Sequence, residues 1–241
     1  MKSTKYKFRP YYLLRPRLWR EHIKPIDLRT ALSLEWGYGY IRIPKAANST
    51  IIGTLQQNFP EARITSKRVG DIKKQYLHYS DLSLTQAITL PRRLFTFTIV
   101  RNPYSRALSA YLNKIAEDRM PEHKKHSAQI ESYDEGRLSF RGFCRYLAEG
   151  GERDNPHWMR QTRILGIADR IDYLGKLESL DDDLPAIVRR ISPAVDLTIQ
   201  RKGQRTGASG KLHAYYDTEC RQIVEAVYDR DFGELGYVKE L

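Results

Sequence analysis

The run Leu94-Phe95-Thr96-Phe97-Thr98-Ile99-Val100 carries no charge, is rich in aromatic and β-branched residues, and stops abruptly at Arg101. A continuous run of this kind reads as a strand buried on both faces, which restricts the chain to folds that cover a sheet on both sides. The period then turns helical. Asn102 stands at a cap position, Pro103 at the first helical position, and Leu108, Tyr111, Leu112 and Ile115 form an apolar stripe. The same grammar occurs earlier in the chain. Tyr38 to Ile43 reads as a strand halted by Pro44, and from Ser49 the residues Ile51, Ile52, Leu55 and Phe59 fall at helical spacing, with Asn48 or Ser49 as the expected cap. Strand, loop, helix, written twice, predicts an α/β fold: a central parallel sheet flanked by helices, with ligands bound beyond the carboxyl ends of the strands, where both loops emerge.

The remainder fits this plan. Asp118 to Gly136 is polar and aperiodic and reads as a surface excursion, and Ser139 to Glu149 as a helix. Ile171 to Leu177 reads as a strand, and Ser179 with Asp182 approximates a capping box before a helix through Ile191. Arg201 to Lys211 is a Gly- and Arg-rich loop, and a last helix starts near Thr218, with Ile223, Val224, Val227 and Tyr228 on one face. A length of 241 residues suits one domain over the whole chain, with a basic arm over residues 1–35 and a core over 38–241.

With 41 Lys plus Arg against 29 Asp plus Glu, the net charge of +12 favours polyanionic partners: a nucleotide, nucleic acid, an acidic glycan or a membrane surface. Cys144 and Cys220 lack any CxxC or metal-ligand spacing, which argues against a disulfide framework or a zinc site. Cys144 falls in step with Phe140, Phe143 and Leu147, as a buried residue would. Met1 to Arg20 is basic and aromatic without the apolar run of a signal peptide or membrane span, so no transmembrane segment and a cytoplasmic location are expected.

The two loops carry the chemistry. Pro44-Lys45-Ala46-Ala47-Asn48-Ser49-Thr50 joins one cation, small residues that let backbone N–H groups approach an anion, and two hydroxyls at a helix start. It is built like a phosphate cradle, although the same residues also suit an ordinary capped turn. It lacks the G-x-x-x-x-G-K-[ST] order of a Walker A loop. In the second loop Arg101 offers a planar fork for a phosphate and Ser109 lies two turns into the helix; taken singly, they also fit a surface ion pair and a plain helix position.

Together the loops resemble the cofactor-binding signatures of PAPS-dependent sulfotransferases, particularly the membrane-type carbohydrate sulfotransferases of family 2. There an I/V-P-K-x-x-x-[ST]-[ST] loop holds the 5′-phosphosulfate of 3′-phosphoadenosine 5′-phosphosulfate (PAPS), and R-[DN]-P-x-x-R-x-x-S-x-[YF] holds its 3′-phosphate. Here they stand as Ile43 to Thr50 and Arg101 to Tyr111. Asn155 to Gln161 is similar to the family's H-W-x-x-Q segment, Tyr173 to Glu178 to its strand before an acidic position, and Arg201-Lys202-Gly203 to a basic loop that closes over the 3′-phosphate.

The resemblance implies a sulfotransferase fold related to P-loop NTPases, transfer of a sulfuryl group to a hydroxyl of a carbohydrate acceptor, and adenosine 3′,5′-bisphosphate as product. It implies PAPS binding by Lys45, Ala46, Ala47, Asn48, Ser49, Thr50, Arg101, Ser109, Arg201, Lys202 and Gly203, with Lys45 also stabilising the leaving group. A sulfuryl group carries less charge than a phosphoryl group, so a lysine and N–H donors suffice and no metal is expected. His78, ahead of the second strand, resembles the histidine base of some relatives, although its position also suits a histidine hydrogen-bonded at a strand end. His157 is the rival base, although its neighbour Trp158 suggests a packed, structural role. His22, His123, His126 and His213 read as solvated surface, and Asp181-Asp182-Asp183 as first-turn acids that favour the helix dipole. Asn102 replaces the more usual Asp, and the anchor and luminal disulfides of eukaryotic relatives have no counterpart here, which favours a bacterial-type cytoplasmic enzyme.

Two other readings compete. A nucleic-acid-binding protein is suggested by the charge and by Tyr6, Phe8, Tyr11, Tyr12 and Trp19 in the arm, and a nucleotide kinase with an atypical phosphate loop by the cradle alone.

Overall fold

The computed structural model describes residues 4–116, 124–202 and 206–241. The elements that position the candidate residues are, in chain order, β1 (Thr30–Ser33), β2 (Tyr38–Ile41), α1 (Asn48–Asn58), α2 (Val69–Gln75), β3 (Phe95–Val100), α3 (Pro103–Tyr111) and β4 (Tyr173–Lys176). The sheet has the order β1-β2-β3-β4. β2, β3 and β4 run parallel, as expected, with Ile41 opposite Thr98 and Val100 opposite Lys176. β1 departs from the expectation. It is an antiparallel edge strand, Thr30 opposite Ile41, in a stretch that reads as a basic arm; four residues are too few to show a period.

The chain forms two compact units, Met1–Val100 with Ile164–Gly203 and Arg101–Arg163 with Gln204–Leu241. The first holds the sheet. Phe97 of β3 is fully buried and stacks on Tyr40 of β2 with ring centroids 5.0 Å apart, a burial that contributes about 2–3 kcal/mol. Thr98 survives inside the buried strand because its hydroxyl donates to the Ile41 carbonyl at 2.9 Å. Tyr11 and Tyr12 of the arm are core residues as well: both are fully buried, and Tyr11 stacks on Tyr79 at 4.0 Å.

The expected capping box at Ser179 is not formed. The Ser179 hydroxyl instead donates to Asp183, which also accepts the Lys176 N–H and the Tyr173 hydroxyl and so ties β4 to the helix Leu180–Ile191. Gly175 is required by that closeness: a Cβ there would lie 2.5 Å from Ile99 Cδ1 and 3.0 Å from Asp183 Cβ.

In the second unit α3 and the helices Phe140–Ala148 and Thr218–Val227 build a core with Trp158, Cys144 and Cys220. The polar stretch read as a surface excursion contains a helix, Lys124–Ser132. His126 is not surface either. It is 4% exposed, hydrogen-bonds Tyr146 at 2.9 Å and meets Trp158 edge to face, since His126 and Ile130, four residues apart, share the buried face of an otherwise polar helix. His123 lies outside the described residues. Among the described residues no helix is long and apolar enough to cross a membrane.

Candidate functional site

The first loop leaves β2 and enters α1 through two left-handed residues, Lys45 at φ 71° and Ala47 at φ 51°. Neither is glycine, and a side chain in this region costs about 1–2 kcal/mol, so the surrounding structure holds a conformation the loop does not prefer. Within the bend the Ala46 N–H donates to the Ile43 carbonyl at 3.3 Å. The cap is also unlike the expectation. Ala47 is the N-cap and has no side chain to offer; Ser49 Oγ accepts from Lys73 Nζ of α2 at 2.8 Å, and Asn48 Oδ1 is buried with no partner among the described residues. α1 thus starts without a side-chain cap at its positive end, a candidate seat for an anion. Ala46 is fully buried beneath the bend. Ala47→Gly is expected to stabilise the fold by about 0.5–1 kcal/mol, because glycine removes the left-handed penalty at some entropic cost. Denaturant unfolding checks this, and a loss of stability would show that the loop is not strained.

Thr50 is engaged elsewhere than a free anion donor would be. Its hydroxyl donates to the Lys202 carbonyl at 2.7 Å and accepts the Lys202 N–H at 3.1 Å. Arg201 pairs with Asp181 at 2.5 Å, and Gly203 lies outside the described residues.

His78 follows Leu77, whose carbonyl accepts the Leu32 N–H of β1. Its Nδ1 is 2.9 Å from the Thr30 carbonyl. A carbonyl only accepts, so Nδ1 carries the proton and Nε2 keeps the lone pair of a base. Thr30 is paired with Ile41, the last residue of β2, which places His78 at the sheet end from which the first loop departs. His78 is 7% exposed. Its backbone N–H donates to Asp81 at 2.8 Å, and Asp27 accepts from the Ser80 N–H and hydroxyl and from Tyr12. Burial pushes the imidazole pKa below its ordinary value, and the nearby Asp27 carboxylate pulls part of the way back.

In the second unit the Arg101 side chain is anchored and not a surface ion-pair partner. It is 7% exposed; Nε donates to Ser105 at 2.9 Å and a terminal nitrogen to Ser209 at 3.2 Å. Ser109 lies 3.1 Å from the Thr206 hydroxyl, so both expected phosphate ligands reach the 206–209 segment, Arg101 through the Ser209 hydroxyl that accepts from it. The Arg101 backbone is clamped at both polar groups by the Gln161 amide, at 2.9 and 2.8 Å. Gln161 is set in turn by Asp231, buried without exposure, which accepts the Gln161 and Thr162 N–H groups. Asn102 caps α3 through the Tyr104 N–H at 3.0 Å. His157 Nδ1 lies 2.7 Å from Asn155 Oδ1, beside the fully buried Trp158.

Sequence reasoning missed Lys73, Asp27, Asp81, Thr206, Ser209 and Asp231. Each is a common polar residue outside any motif, and only its partner gives it meaning. The segment Asn155 to Gln161 did signal Gln161.

Residues 39–238, which run through both units, match the model of the sulfotransferase family. Carbohydrate sulfotransferase 14 of Danio rerio is 28% identical over 238 residues, covering 89% of this chain and 65% of the relative. Carbohydrate sulfotransferase 14 of Homo sapiens is 29% identical over 158 residues, 59% of this chain and 42% of the relative, and carbohydrate sulfotransferase 10 of Xenopus laevis 29% over 168 residues, 59% and 47%. The chain thus spans less than two thirds of the length of these relatives. No solved structure matches. The two loops, their order along the chain and a family match over residues 39–238 agree: the chain belongs to the sulfotransferase family.

Proposed function

We propose that the chain transfers a sulfuryl group from PAPS to a hydroxyl of a carbohydrate acceptor. The observation that carries this reading is the start of α1, a helix end without a side-chain cap, entered through left-handed Lys45 and Ala47 and met by Lys73. Bound PAPS supplies an activated sulfuryl group and leaves as adenosine 3′,5′-bisphosphate. Lys45, Ala46, Ala47, Asn48 and Ser49, with the first N–H groups of α1, hold the 5′-phosphosulfate, and Lys45 meets the charge that grows on the leaving phosphate oxygen. Arg101 and Ser109, with Thr206 and Ser209 beside them, hold the 3′-phosphate. His78 Nε2 takes the proton of the acceptor hydroxyl. The acceptor class is supported by the names of the relatives. Against a nucleic-acid-binding arm stand Tyr11 and Tyr12, which are spent on the core.

Thermal-shift measurement with adenosine 3′,5′-bisphosphate, ATP and oligonucleotides tests the reading, because a ligand of the native state alone raises the midpoint. Selective stabilisation by the bisphosphate is expected; a selective response to ATP or to oligonucleotides overturns it in favour of the kinase or the nucleic-acid reading. Labelled PAPS with a glycan panel then identifies the acceptor. Lys45→Ala is expected to lower turnover about a hundredfold to a thousandfold, with a smaller change in bisphosphate affinity, since its contact strengthens as charge develops. Steady-state kinetics beside calorimetry checks this, and a loss confined to affinity would assign Lys45 to ground-state binding.

A further inference from the structure

α1 carries polar side chains at Thr50, Thr54 and Asn58, four residues apart on one face. All three are hydrogen-bonded to the backbone of one segment, at Lys202, Gln200 and Thr198. Thr50 makes a reciprocal pair with Lys202, Thr54 Oγ1 accepts the Gln200 N–H at 3.0 Å, and Asn58 makes a second reciprocal pair with Thr198, at 2.7 and 2.9 Å. The periods agree because four helical residues rise about 6 Å and two extended residues about 6.6 Å. The segment therefore runs antiparallel to α1 and reaches its first turn at Lys202.

Between Thr50 and Thr54 stands Gly53. A Cβ there would lie 3.3 Å from Gln200 Cβ and 3.4 Å from Lys202 Cδ, so the lysine stem crosses the helix where a side chain is missing. Glycine inside a helix is unfavourable, and here the close approach of the segment accounts for it. Lys202 is delivered to the same helix turn that Lys73 reaches through Ser49.

We infer that Gly53, Thr54 and Asn58 are positioning residues, a ladder on α1 that holds the 198–202 segment so that Lys202 stands at the anion seat and adds to cofactor affinity. The inference rests on the function proposed above. Breaking the ladder frees the segment and leaves the reacting groups Lys45 and His78 untouched.

Calorimetric titration with adenosine 3′,5′-bisphosphate tests it. Thr54→Val keeps the shape and removes the acceptor; affinity is expected to fall about tenfold, with KM for PAPS rising in step and kcat changing far less. Thr54→Ser restores both. In the free protein, Thr54→Val should also speed amide exchange at Gln200. Gly53→Ala is expected to weaken binding about fivefold although alanine is the better helix former, a result that a merely structural role would not produce. Thr54→Val and Lys202→Ala should be strongly non-additive, since the first acts through the second. Wild-type binding with both Thr54→Val and Gly53→Ala within twofold of it, or full additivity with Lys202→Ala, overturns the inference alone. A wild-type protein that binds no bisphosphate overturns the proposed function and the inference with it.

Discussion

Replacing His78 by alanine is expected to lower turnover about a hundredfold to ten-thousandfold, the contribution of a positioned general base. A sugar hydroxyl is a poor nucleophile at neutral pH, and His78 combines the features required: Nδ1–H is held by the Thr30 carbonyl, Nε2 keeps its lone pair, and the backbone is pinned by Asp81. Bisphosphate affinity should change little. The wild-type pH–rate profile should have an acidic limb below the ordinary imidazole value, because burial lowers the His78 pKa. As pH falls through the folded value the ring gains a proton and ceases to accept one, and His78→Ala should lack this limb. The sign for stability is the same. A depressed folded pKa contributes stability that is present above the ordinary imidazole value and is lost as pH falls through the folded one. His157→Ala is the control, with turnover largely retained. Near-normal turnover in His78→Ala, together with an inactive but folded His157→Ala, would move the base to His157.

Arg101→Ala is expected to weaken adenosine 3′,5′-bisphosphate binding by about 2–4 kcal/mol, roughly thirtyfold to a thousandfold, with a smaller effect on turnover at saturating PAPS. The size follows from burial and preorganisation. Arg101 is 7% exposed, its fork is aimed by Ser105 and Ser209, and its backbone is held by Gln161. Arg101→Lys should recover only part of the loss, since a point charge does not replace a planar fork. Isothermal titration decides the matter: unchanged affinity in a folded Arg101→Ala protein would remove the second loop from the cofactor site.

Much of this was legible in the sequence, and the reason is locality. The strand β3 announces itself by an uncharged run, α3 by Asn102 and Pro103 at its start, and the loop after β2 by Pro44 and Lys45, all within a few adjacent residues. Those signals determined the α/β class and named the candidate anion-binding residues of both loops. They did not determine what the same residues touch. Ser49 was an expected cap and is a partner of Lys73; Thr50 was an expected phosphate donor and is bound to Lys202, 152 residues away; Arg101 owes its fixed backbone to Gln161, 60 residues away. β1 exists because β2 offers it an edge, and Tyr11 and His126 are buried because distant rings close over them. A hydroxyl or a histidine has the same local propensity whether its partner is water, phosphate or another side chain, and the free energy that chooses among them arises only when the partner arrives. The types of β2, β3, β4, α1 and α3 were thus written in the sequence, while the tertiary structure alone decided which polar groups remain for a ligand.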